Sequence, residues 1–69
     1  MILIERTTES GYIEKEYTPE EALVILNTEL ENERTLWIDG APYSGQIINL
    51  EDINKCKKSI CVTNKLIGG

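Results

Sequence analysis

The sequence predicts an α+β domain, a mixed β-sheet of four to five strands packed on one α-helix. Three observations carry this reading: the chain opens on a hairpin pattern, passes into a strongly capped amphipathic helix, and returns to β-branched residues at its far end. A hairpin followed by a helix and a return into the sheet leaves that helix lying across one sheet face.

Each element has its own signal. MILIER is a β-type apolar start, TTESG a polar turn ending in glycine, and YIEKEY an interleaving of β-formers and charges, giving strands at about residues 1–6 and 12–17. TPEEALVILNTELENE then carries Thr18 as N-cap, Pro19 at the first helical position, Glu21 completing a capping box, and carboxylates in the first turn, so a helix is expected over Thr18–Glu31. Leu23, Leu26 and Leu30 fall at i, i+3 and i+7 as a core-facing stripe, with Ala22 and Ile25 on its flanks. TLWIDGAPY reads as a third strand ending in an Asp39-Gly40 turn, followed by a proline-containing connection. SGQIINLEDINKC is a long connection with a short strand at Ile47-Ile48 and a turn of helix at Leu50–Ile53. SICVTNKLI supplies the final strand, from Ser59 to about Lys65. The order ββαβ(β)β, with the terminal strands central and parallel, is the β-grasp arrangement. Residues 1–65 form the expected domain. Residues 66–69 form an expected flexible tail, because two glycines have no side chains to offset their ordering entropy.

Composition narrows the function classes. A chain of 69 residues is one domain, near the lower limit for a single core, since it buries only about 60% of its unfolded surface. It has no apolar run of about 18 residues to cross a membrane, and MILIERTTES lacks the basic start of a secretory leader; a cytoplasmic protein is expected. Cys56 and Cys61 with no histidine supply too few ligands for a structural zinc site, so no metal is expected, and both thiols read as small, half-buried side chains. Residues 1–33 hold nine carboxylates against two cations, a balance of −7, whereas residues 34–69 balance at +2. Direct nucleic-acid binding is disfavoured by such a surface, and a basic protein partner is compatible with it.

These segments together resemble the ubiquitin-like β-grasp proteins over nearly the whole chain. MILIERTTESGYIEKEYTPEEAL is similar to the family's opening hairpin and the proline before its helix. Leu23, Leu26 and Leu30 repeat the spacing on that helix, TLWIDGAPYSGQIINLEDI is similar to the strand, turn and loop that follow, and ICVTNKLIGG resembles the last strand and diglycine tail. Lys15 falls where the family turns an apolar residue inward, and KCKKS stands where its sulfur carriers usually have a Gly-Asp turn. The family includes ubiquitin, the sulfur carriers of thiamin and molybdopterin synthesis, and archaeal and bacterial modifiers. What the resemblance implies is a protein that is a substrate of enzymes and not itself one, without a cofactor. A partner enzyme would adenylate the carboxylate of Gly69, and the acyl group would pass to a thiol, a sulfur donor or a lysine amine. Gly68 and Gly69 would thread the partner's narrow channel, where a Cβ would clash.

Trp37 is the remaining candidate. Alternation turns Leu36 and Ile38 toward the helix and Trp37 to the open side of the sheet, where the resemblance puts an exposed protein-binding patch; Lys65 and Leu66 join it as expected contacts near the tail. Lys55, Lys57 and Lys58 read as a solvated turn, and Glu20, Glu21, Glu29, Glu31 and Glu33 as a solvated helix face. Two functions stay open: a modifier or sulfur carrier used through Gly69, and a non-covalent acidic binding module that regulates a protein partner.

Overall fold

Residues 1–64 are described by a computed structural model. Strands β1 (Ile2–Thr8) and β2 (Gly11–Tyr17) form an antiparallel hairpin turning at Glu9 and Ser10. The Thr8 hydroxyl fixes that turn, donating to the Gly11 carbonyl at 2.9 Å and accepting from the Ser10 N–H at 3.2 Å. Helix α1 (Pro19–Glu31) begins on the capping box the sequence predicts: the Thr18 hydroxyl accepts from the Glu21 N–H at 3.2 Å, and the Glu21 carboxylate accepts from the Thr18 N–H at 3.0 Å. It ends on Glu33 at φ 60, where the N–H groups of Glu33 and Arg34 reach back to the carbonyls of Leu30 and Glu29, each at 3.0 Å. This is a Schellman ending with glutamate in the place that glycine usually takes.

Strands β3 (Thr35–Ile38) and β4 (Ala41–Pro42), helix α2 (Leu50–Lys55) and strand β5 (Ile60–Thr63) complete the fold. The strand order is β2-β1-β5-β3-β4, with β5 parallel to β1 and antiparallel to β3. The architecture is thus the α+β class the sequence predicts, a five-stranded mixed sheet packed with a helix, compatible with a β-grasp arrangement. Asp39 (φ 51) and Gly40 (φ 86) form the two-residue loop between β3 and β4. Both angles are positive, as a type I′ hairpin turn demands, which is why Asp-Gly suits the position.

The core lies between α1 and one sheet face. Ile4, Leu36, Ile60 and Val62 come from the sheet, Ala22 and Leu26 from α1, and Ile48 and Ile53 from the segment before and within α2; all are buried. Each such large side chain contributes about 1.5–3 kcal/mol on leaving water.

Two local expectations are corrected, the place of the short strand and the inward line of α1. Ile47-Ile48 is not a strand: the Ile48 N–H donates to Asn27 Oδ1 at 2.9 Å and its carbonyl accepts from Asn27 Nδ2 at 3.0 Å, so both of its backbone groups serve a side chain instead of a ladder. The short strand is Ala41–Pro42, where proline is tolerated because β4 is an edge. The inward line of α1 runs through Ala22 and Leu26 with Leu23, Ile25 and Leu30 only partly buried, a rotation that carries Glu29 out of solvent. Lys15 does lie on the helix side of the sheet, opposite Ile4, but at the edge strand it stays exposed, its ammonium 5.4 Å from the centre of the Tyr17 ring.

Candidate functional site

Pairing registers sort the sheet residues by face. On the open side stand Leu3, Glu5 and Thr7 of β1, Tyr12, Glu14 and Glu16 of β2, Cys61 and Thr63 of β5, and Thr35 and Trp37 of β3. No lysine or arginine of these strands shares that face among the described residues. Trp37 is there as alternation predicts, with Leu36 fully buried and Ile38 packed against the core on the other side. Its indole is half-buried rather than free, since Nε1–H donates to Thr63 Oγ1 at 3.0 Å. Of the other predicted contacts, Lys65, Leu66, Gly68 and Gly69 lie outside the described residues.

Glu5 organises the middle of this face. Its Oε2 accepts from the Cys61 thiol at 3.0 Å and the Ser59 hydroxyl at 3.1 Å, and its Oε1 accepts from the Tyr12 hydroxyl. These donors, the thiol first, hold the Glu5 carboxyl below the usual carboxylate range. The bonds to Glu5 push both the Cys61 thiol and the Tyr12 phenol upward. Cys61 is accordingly kept as a thiol, a poor nucleophile. Cys56 is also a free thiol, raised first by burial and then by the Asp39 carboxylate beside it.

At the end of the sheet where β1 and β5 finish, Arg34 binds a carbonyl of each: Nε donates to O of Thr63, the last residue of β5, at 3.0 Å, and Nη2 donates to O of Thr7, the last but one of β1. Its Nη1 stands 3.6 Å from Glu29 Oε2, and Arg6 Nη1 stands 3.9 Å from Glu29 Oε1. The Glu29 side chain is 15% exposed, so its place is this ion cluster and not the solvated face the sequence predicts. Neither Arg34 nor Glu29 carries a local signal that would have singled it out.

At the opposite end, the Asp39 carboxylate accepts from the N–H groups of Lys57 at 2.9 Å and Lys58 at 2.7 Å. These bonds depress its pKa, and they shape the KCKKS turn while the lysine side chains themselves stay exposed. A cleft of about 570 Å³ lies between Leu30, Arg34, Tyr43 and Ile47. Its floor is fixed by the Tyr43 hydroxyl, which donates to Ile47 O at 2.7 Å; a side chain at Gly45 would stand 2.8 Å from that ring. Desolvation, and then Asp52, push the Tyr43 phenol up, away from neutral-pH proton transfer. Among the described residues no group of three or more His, Cys, Asp or Glu side chains is placed to hold a metal ion, and no helix is long and apolar enough to cross a membrane.

The chain matches no protein-family model, no curated protein and no solved structure.

Proposed function

We propose that this protein is a ubiquitin-like modifier or sulfur carrier of the cytoplasm, activated by a partner enzyme that adenylates the carboxylate of Gly69, and not itself an enzyme. The observation that carries the reading is the sheet order: β5 runs parallel to β1 at the sheet centre, and in the sequence only Asn64 separates that strand from Lys65–Gly69. In the chemistry this implies, the carboxylate displaces pyrophosphate from ATP, and a thiol, sulfur donor or lysine amine then displaces AMP from the acyl adenylate. Arg34 supports the reading as an anchor, because it ties the carbonyl of Thr63, the last residue of β5, to the sheet. The test is mass spectrometry of the protein recovered from its native host. A thiocarboxylate on Gly69, or Gly69 in an isopeptide with a lysine, is the expected result. A variant lacking Gly68 and Gly69 should fold normally and form neither. Full biological activity in that variant would remove the reading.

A second reading is favoured by a separate observation, the anionic open face that Glu5, Glu14 and Glu16 share with Trp37. There the domain is a non-covalent binding module for a basic protein partner. Trp37→Ala should then weaken partner capture by more than it lowers stability, and capture should fall steeply with added salt.

A further inference from the structure

Strand β2 has β1 on one side and no strand on the other among the described residues, and six of its seven residues are exposed. Backbone N–H and C=O groups of alternate residues in an antiparallel pair point away from the partner strand. The edge of β2 therefore offers a row of donors and acceptors, whereas the opposite edge, β4, is only two residues long. Charge is concentrated along the same edge. Glu5 and Glu14 stand directly opposite one another across the hairpin, a like-charge pair that weakens strand pairing. The Tyr12 hydroxyl bridges them, bonded to Glu5 and 3.1 Å from Glu14 Oε2. Glu16 extends the row, and the only cation of β2, Lys15, is turned to the other face. On that other face Ile13 is 42% exposed.

We infer that β2 is a docking edge for an extended basic segment of a partner protein, which adds as a further strand with Lys or Arg at alternate positions. A strand laid beside β2 brings its side chains to about 4.5–5.5 Å, Cβ to Cβ, from those directly opposite. Cations at every second position then face Glu14 and Glu16, and the apolar residue next to the cation opposite Glu14, on its outer side, covers Ile13. A second copy of this chain meets like charges in the two registers that centre on the middle of β2. Antiparallel self-pairing centred on Glu14 sets Glu14 against Glu14, and pairing centred on Lys15 sets Lys15 against Lys15 and Glu14 against Glu16. The inference stands whether or not Gly69 is ever conjugated.

The test uses the full chain, labelled with ¹⁵N, and a capped seven-residue peptide of alternating lysine and valine. Amide shifts and slowed hydrogen exchange should gather on residues 11–17, and binding should weaken as salt is added. A peptide of the same composition with its lysines and valines in separate blocks should bind about tenfold more weakly, and one N-methylated at alternate residues should lose binding by a similar factor. Glu14→Lys with Glu16→Lys should transfer preference to an alternating glutamate–valine peptide. No binding of the alternating peptide, equal binding of the block peptide, or shifts gathered on α1 or around Trp37 would each overturn the inference. So would protection of the β2 amides in the free chain that grows with its own concentration, since that marks self-association.

Discussion

The two ends of the sheet are held by opposite chemistry. At one end Arg34, the residue just before β3, donates to backbone carbonyls near the ends of β1 and β5. At the other Asp39, the residue just after β3, accepts from the backbone N–H groups of the turn that leads into β5. One short strand thus carries a cation and an anion on its flanks, and between them they fix where β5 starts and where it stops. The difference lies in their surroundings. Arg34 is partly buried beside Glu29, with 21% of its side chain exposed, whereas Asp39 is exposed. A charged group anchored out of water costs more to remove than one that water can replace. The Arg34 end should therefore be the stiffer one, and the Asp39 end the one that responds to solution conditions.

Four measurements test that contrast. The largest effect belongs to the core both clamps depend on: Leu26→Ala should cost about 2–5 kcal/mol in chemical denaturation, and a loss under about 1 kcal/mol would mean the clamps and not the core hold the sheet. Next, Arg34→Met keeps much of the side-chain bulk but removes two charge-assisted bonds, at about 1.5–3 kcal/mol. Amide exchange should quicken most at residues 60–63. Smaller, and of opposite sign, Glu33→Gly should stabilise by up to about 1 kcal/mol, since φ 60 suits glycine better than glutamate; no gain would show that Glu33 contributes more through its side chain than it loses through its backbone.

The smallest effect at neutral pH is that of Asp39→Asn, because asparagine tolerates the left-handed conformation and keeps one acceptor oxygen. Its signature is in pH. Asp39 titrates below its ordinary value through the N–H groups of Lys57 and then Lys58. A carboxyl depressed in the folded state stabilises above its unfolded pKa, and that stability is lost as pH falls through the folded value. The parent should thus lose stability below about pH 4, and Asp39→Asn should lose less over the same interval. Parallel melting curves of the two proteins between pH 7 and pH 2 would contradict the assignment.

Neither clamp was legible in the sequence, and the reason is separation along the chain. The start of α1 could be read because Thr18, Pro19 and Glu21 act on one another within a single turn. The two hairpin turns, the face of Trp37 and the pairing of the first and last strands followed from equally local patterns and from the family likeness. Arg34 meets Thr7 and Thr63 across 27 and 29 residues, and Asp39 meets Lys57 and Lys58 across 18 and 19. Locally, Asp39 carries only the signal of a turn residue, and Arg34 only that of one more surface charge. The strand expected at Ile47-Ile48 failed in the same way: Asn27, 21 residues distant, takes up the hydrogen bonds that a local pattern assigns to a neighbouring strand. Of the candidate site, the anionic face was foreshadowed by the excess of glutamate, but its arrangement around Glu5 depends on Cys61 and Ser59, which join it from 56 and 54 residues away.

The position of β5 has a consequence in time. It is the common neighbour of β1 and β3, and without it the sheet separates into two hairpins, β2-β1 and β3-β4. Isolated two-stranded hairpins are at best marginal in water. A nascent chain that has emerged from the ribosome only as far as Lys58 thus holds every other element of the fold and still lacks a continuous sheet. Assembly waits on the strand pairing of greatest loop length, that of β1 with β5, which is the kind of closure that slows folding most. The strand last made among the described elements is then also the one whose arrival completes the sheet, so the domain cannot close before β5 has left the ribosome.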